Sequence, residues 1–128
     1  MLPKLDLQIL PGDYAVSLLP IKASQPDWFE GDGFRSISFC EDETTVVCLS
    51  ERVPAEVQSD EGWTAIKLVP DFAFDDAGVA LSVVKPISEK GLGVFLISTF
   101  QRDYLLVKSA DLEKAIEHLE HSGHRIVS

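Results

Sequence analysis

Residues 63–90 read WTAIKLVPDFAFDDAGVALSVVKPISEK and set the architecture of the chain. Trp63 to Val69 is strand-like, and Pro70 to Asp76 is a loop rich in aspartate. Ala77, Ala80, Leu81 and Val84 then recur at helical spacing, which predicts a helix from Ala77 to about Lys90 that Gly91 stops. Downstream, Val94 to Phe100 and Tyr104 to Val107 are strands separated by a polar reversal at Gln101-Arg102-Asp103. Ser109 is placed to cap a second helix with the stripe Leu112, Ala115, Ile116 and Leu119. Gly123 sits where a left-handed cap belongs, and His124 to Val127 is a last short strand. The order is β-α-β-β-α-β, the ferredoxin-like split unit.

Upstream of Trp63 the signals are weaker. Leu5, Leu7 and Ile9 alternate with Asp6 and Gln8, and Tyr14 to Leu19 follows the turn Pro11-Gly12-Asp13. Ser24 to Glu30 suits a short helix. Phe34 to Cys40 and Thr44 to Leu49 form a hairpin around Glu41-Asp42-Glu43. Val53 to Gly62, with its Pro, Glu, Asp and Ser, is the best linker candidate. The fold class is therefore α+β: two βαββαβ modules packed side by side, residues 1–58 reduced or rearranged and residues 59–128 complete. Modules of about 60 residues are marginal alone, so the two are expected to share stability.

The 128 residues are 45% hydrophobic and 25% charged, as in folded soluble proteins. Acids outnumber bases 21 to 11, for a net charge of −10, the wrong sign for gripping a nucleic-acid backbone. The excess lies between Asp27 and Asp76, where thirteen acids face three bases, Arg35, Arg52 and Lys67. No apolar run approaches the ~18 residues of a membrane span, and the opening Met-Leu-Pro-Lys-Leu-Asp-Leu is unlike a secretory signal. A soluble cytoplasmic protein with no membrane or nucleic-acid partner is the expectation. Cys40 and Cys48 match neither a redox pair nor a zinc half-site and read as buried free thiols. His118, His121 and His124 read as exposed histidines.

No P-loop, dinucleotide fingerprint, serine elbow or HExxH motif is present, so the chain reads as a non-enzyme without cofactor or metal. Its richest segment places Asp71, Asp75 and Asp76 at the mouth of the first helix, beside Gly78. One aspartate can cap the helix; a second is unnecessary for that. Gly78 weakens a first turn but suits a close approach to the backbone. Amides of Gly78 and Val79 facing a carboxylate, with an aspartate taking an ammonium, would suit an amino acid.

Phe74-Asp-Asp-Ala-Gly-Val79, followed by Ile97-Ser-Thr-Phe-Gln-Arg-Asp-Tyr-Leu-Leu-Val-Lys108, resembles tandem ACT-domain proteins. Among these it is similar to small bacterial and fungal ACT proteins related to the cytosolic arginine sensors of the TOR pathway. The resemblance extends to Leu7-Gln-Ile-Leu-Pro-Gly-Asp-Tyr-Ala-Val16, to Asp42-Glu43 before Thr45-Val-Val-Cys48, and to Gly62-Trp63. It implies an amino acid held in a groove between two ACT modules. Phe74, Asp75 and Asp76 would embrace the ligand, and Gly78 and Val79 would offer backbone contacts. Thr99 and Phe100 would contribute main-chain groups, Asp103 would face a basic side chain, and Thr45 and Val46 would close the groove. Gln101-Arg102 departs from the Asp-Thr of bacterial relatives, and Val69-Pro70 from a Gly-Pro. Arg102 either points away from Asp103 or pairs with it.

Three readings follow. The favoured one is a non-catalytic, amino-acid-binding regulatory or sensor protein, with a protein partner or a second copy of itself as further candidates. The alternative is an interaction or structural module that has lost its ligand. The third is a divalent-metal site or unrecognised enzyme built on Asp71, Asp75 and Asp76.

Overall fold

A computed structural model describes residues 2–73 and 75–128. Through them run strands β1 (Asp6–Ile9), β2 (Tyr14–Leu19), β3 (Ser36–Phe39), β4 (Thr44–Leu49), β5 (Gln58–Leu68), β6 (Val94–Ser98), β7 (Asp103–Lys108) and β8 (Arg125–Val127). The helices are α1 (Val79–Ser88) and α2 (Leu112–His121). The class is α+β, and β5-α1-β6-β7-α2-β8 reproduces the ferredoxin-like order. The chain divides into two compact units, a helical unit of Met1–Leu10 with Thr64–Ser128 and a β-rich unit of Pro11–Trp63. β5 gives its first half to the β-rich unit and its second half to the helical one.

In the helical unit the strand order is β6-β7-β5-β1-β8. β1 lies antiparallel to β5, with Leu7 opposite Leu68, and parallel to β8, with Leu7 opposite Ile126. Both ladders of β1 lie within the helical unit. Alternation identifies a half-buried strand but not its neighbours, which only the shared core decides. That core joins Leu5 and Leu7 to Ile66, Leu68, Val83, Ile87, Leu105 and Leu119.

α1 is shorter than residues 77–90 and turned relative to the expected stripe. It buries Val79, Ser82, Val83 and Ile87, while Leu81 is exposed. Both stripes obey helical spacing; the one spaced by four residues at 79, 83 and 87 meets the core. Pro86 lies inside α1 and has no N–H to return to the Ser82 carbonyl four residues earlier. His124 replaces that donor. Its Nε2 lies 2.8 Å from the Ser82 oxygen, and its Nδ1 accepts the Leu5 N–H at 3.1 Å. A carbonyl only accepts, so the proton sits on Nε2. His124 is thus buried, at 5% exposure, rather than a surface histidine.

Gly123 has φ +99°, the left-handed conformation that favours glycine. Ser109 does not cap α2: it lies in a 3-10 turn before the helix, with its Oγ 2.7 Å from Thr64 Oγ1.

The β-rich unit pairs β3 with β4, β4 with β2, and β2 with the first half of β5. The helix expected over residues 24–30 contracts to a 3-10 turn, Asp27–Phe29. A seven-residue segment cannot offset the cost of nucleating an α-helix without a long apolar face. The expected linker is in part strand: from Gln58 onward it pairs with β2, with Ser59 Oγ 2.8 Å from Ser17 Oγ. Phe29, Val46 and Cys48 form a small core, packed by Trp28, Ile37 and Val53. Two arginines complete it. Arg35 stacks 5.0 Å from the Phe29 ring centre and bonds the Phe29 carbonyl and Glu30. Arg52 donates to the carbonyls of Trp28 and Asp32. Both cysteines are free thiols, but Cys40 is exposed at the hairpin end and Cys48 alone of the two is buried.

Candidate functional site

α1 begins at Gly78, whose φ of +80° places it in the left-handed region, and no side chain caps the helix. The first bond of the helix runs from Ser82 N–H to Gly78 C=O at 3.0 Å. The amides of Val79, Ala80 and Leu81 therefore have no intrahelical acceptor. The aspartates do not cap them. Asp76 turns back, its Oδ2 accepting the Ala73 N–H at 2.8 Å. A side chain at Gly78 would meet Leu2 Cδ2 at 3.2 Å, so the close approach that needs glycine is made by the chain's own N-terminal segment.

Facing this helix start is the reversal between β6 and β7. Thr99 closes it: its N–H donates to the Arg102 carbonyl at 2.9 Å and its hydroxyl to the same oxygen at 2.7 Å. The Gln101 carbonyl accepts the Phe72 N–H at 2.8 Å, which ties the reversal to the aspartate loop. Arg102 pairs with Asp71 in the same loop, not with Asp103. Asp103 is the first residue of β7, opposite Ser98.

Between these walls is a cavity of about 210 Å3 lined by Phe72, Ala73, Asp76, Val79, Ala80 and the run Ser98–Asp103. It brings together Asp76, Val79, Thr99, Phe100 and Asp103 of the expected site. Asp75 and Gly78 are beside it in sequence but outside its lining, and Phe74 lies outside the described residues. Thr45 and Val46 belong to β4 in the β-rich unit. Val46 is fully buried in that unit's core, and the Thr45 hydroxyl donates to Glu43 at 2.8 Å. Neither lines the cavity. Phe72, Ala73, Ala80 and Gln101 join the lining although none of them is among the expected ligand contacts; the bond between Phe72 and Gln101 sets the loop against the reversal, and Ala80 enters with the first turn of α1.

Among the described residues no three carboxylate, imidazole or thiol groups cluster as a metal-binding set. The three loop aspartates diverge instead: Asp71 goes to Arg102, Asp76 to the Ala73 N–H, and Asp75 to solvent. Among the described residues no helix is long and apolar enough to cross a membrane.

The uncapped helix start facing a strand reversal lies within residues 58–121, which match the family model described as ACT domain. The chain belongs to the ACT-domain family. A second model, described as an N-terminal domain, matches residues 12–56. Among curated proteins none matches the chain. Among solved structures, a protein of Agobacterium tumefaciens is 43% identical, covers 98% of this chain and 93% of its own, and superposes with a TM-score of 0.93. A protein of unknown function from Vibrio cholerae, described as a possible transport protein, is 16% identical over 93% of this chain and 90% of its own, TM-score 0.74. The regulatory subunit of aspartate kinase from Thermus thermophilus is 10% identical over 88% of this chain and 93% of its own, TM-score 0.58. The last two speak for the fold.

Proposed function

We propose that the protein is a regulatory amino-acid-binding module with no catalytic step of its own, and that its ligand occupies the cavity at the start of α1. The observation that carries this reading is the pairing of unlike groups in one small space. The amides of Val79 and Ala80, which have no intrahelical acceptor, favour an anion, and the carboxylates of Asp76 and Asp103 line the same cavity. An α-amino acid supplies both a carboxylate and an ammonium. At about 210 Å3 the cavity is smaller than the ~300–1,000 Å3 clefts of drug-sized ligands. Membership of the ACT family and the likeness in fold to an aspartate kinase regulatory subunit support a regulatory role. The ligand would act by its different affinity for two arrangements of the protein or of a partner contact.

Isothermal titration against the twenty standard amino acids tests it. One or a few bind saturably and raise the melting temperature, a ligand at 100 times its Kd adding about 2.7 kcal/mol of stability. Asp103→Ala weakens binding at least tenfold and leaves the melting temperature of the free protein unchanged. Ala80→Pro removes one amide at a position where proline is tolerated, and weakens binding too. A folded protein that no amino acid stabilises at millimolar concentration refutes the reading. The second reading, an interaction module without ligand, draws on the Arg102–Asp71 pair, in which a cation of the cavity lining already has its counter-ion.

A further inference from the structure

We propose that the amino acid held at the start of α1 carries a carboxamide side chain, that of asparagine or glutamine, and that Arg102 and Asp103 read it. The class rests on the ligand reading of that cavity and narrows it. Among the described residues the lining has three charged side chains, Asp76, Arg102 and Asp103. The main-chain half of an amino acid engages the helix side. Its carboxylate meets the amides of Val79 and Ala80. Its ammonium, on the same carbon, falls to Asp76, the lining carboxylate nearest in sequence to those amides. Asp76 spends Oδ2 on the Ala73 N–H, and a carboxylate retains further lone pairs for the ammonium.

That arrangement leaves Arg102 and Asp103, consecutive residues on the wall formed by the strand reversal, for the ligand side chain. The first only donates hydrogen bonds and the second, ionised, only accepts them. Among the described residues the Arg102 guanidinium has one acceptor, Asp71, reached through Nη2, and its Nε is buried with none. With a place in the lining and 23% of its side chain exposed, the fork has donors to offer. A side chain against this wall must therefore accept from one neighbour and donate to the next. A second carboxylate suits Arg102 but meets Asp103 as a like charge; an ammonium or guanidinium suits Asp103 but meets Arg102 as one. An aliphatic group leaves both unpaired while displacing their water. A hydroxyl has one atom for two partners on different residues. A carboxamide is uncharged and carries the two functions on separate atoms, an oxygen that accepts and an NH2 that donates.

Isothermal titration with asparagine, glutamine, their acids, lysine, arginine, serine, leucine and methionine tests the class. A carboxamide amino acid is expected to bind about tenfold or more tighter than its acid and than the apolar side chain of like size, leucine for asparagine and methionine for glutamine. Two substitutions shift the preference in opposite senses. Arg102→Met keeps the apolar stem, weakens the carboxamide ligand to within about threefold of its apolar counterpart and strengthens lysine. Asp103→Asn strengthens the acid relative to the carboxamide. Asp71→Asn breaks the same ion pair as Arg102→Met but leaves the guanidinium, so the carboxamide preference persists. Melting temperatures of the free variants confirm that each is folded. Tightest binding by a charged, hydroxyl or aliphatic side chain, still weakened by Ala80→Pro, overturns the class and leaves the site standing. Loss of the preference in Arg102→Met and Asp71→Asn alike overturns it too, because the effect then belongs to the ion pair. A folded protein that binds none of these amino acids overturns the ligand site and the class together.

Discussion

The two units solve the same problem by different means. In the helical unit a sheet is covered by α1 and α2, and a continuous set of aliphatic side chains from Leu5 to Leu119 fills the space. In the β-rich unit the cover is a 3-10 turn and loops, and the core contracts to Phe29, Val46 and Cys48 with a few partners. What a helix does in the first, Arg35 and Arg52 do in the second: their guanidiniums hold the carbonyls of residues 28, 29 and 32, which no helical ladder satisfies. Small units with little apolar area lean on directional contacts, because hydrophobic stabilisation scales with buried area while backbone polar groups must be paired whatever the size. Stability is therefore expected to be spread over many side chains in the helical unit and concentrated in two arginines in the other.

The sharpest exception within the helical unit is His124, the residue before β8, whose side chain joins α1 to Leu5, the residue before β1. His124→Phe leaves the Leu5 N–H and the Ser82 carbonyl buried without partners, and a lost partner costs about 1–3 kcal/mol per group. Chemical denaturation should show a loss of about 2–4 kcal/mol, the largest effect in this set. Pro86→Ala supplies the missing helical donor, so in the His124→Phe background it should recover about 1 kcal/mol more than in wild type. Absence of that coupling would mean His124 matters through packing instead.

In the β-rich unit the corresponding test is Arg52→Met, which keeps the apolar stem and removes the donors to Trp28 and Asp32. A cost of about 1–3 kcal/mol is expected, since hydrogen bonds from a charged donor are worth that much. Alkylation gives an independent readout. Cys40 is exposed and reacts promptly; Cys48 is buried, and burial pushes its thiol up while Arg52 and Arg35 pull the other way. Arg52→Met should speed Cys48 labelling in the native protein by loosening the core around it. If denaturation and labelling both match wild type, the arginines are not the cover that the comparison makes them.

The comparison also explains which features the sequence displays. Periodicity in the helical unit is carried by long runs, so β5-α1-β6-β7-α2-β8 is legible from Trp63 onward. The partner of β1 is not, because Leu5, Leu7 and Ile9 would fit any sheet with an open edge. The α1 stripe was ambiguous between Leu81 and Val83 for the same reason: two registers of four-residue spacing overlap. His124 had a signal of its own, since Pro86 in a predicted helix demands an outside donor for Ser82. At the candidate site, Asp76, Val79, Thr99, Phe100 and Asp103 converge because a loop and a reversal bracket one helix start. Thr45 and Val46 rested on resemblance, and Val46 has its side chain committed to a core. Arg102 found Asp71, thirty-one positions away, a contact no local pattern encodes.

The smallest expected effect is at the outer edge of the helical unit, where Arg125 grips Asp6 through two 3.0 Å hydrogen bonds between β8 and β1. Hydrogen bonding to Arg125 has the largest influence on the Asp6 carboxyl and holds it below its usual 3.8; burial opposes it, and the Arg125 charge adds a lesser downward pull. A carboxylate whose folded value is depressed contributes stability that is fully present above 3.8 and is lost as the pH falls through the lowered value. Arg125→Met should therefore lower the melting temperature slightly at neutral pH, and the gap from wild type should close as the pH drops below 3.8. Both partners are solvent-exposed, so added salt should narrow the gap at neutral pH as well. His124→Phe should show no such sensitivity to salt, because its lost bonds are buried and made to neutral backbone groups. If the two variants respond alike to salt, the division between a dry junction at His124 and a wet clasp at Asp6 fails, and β1 is held along its whole length by its ladders.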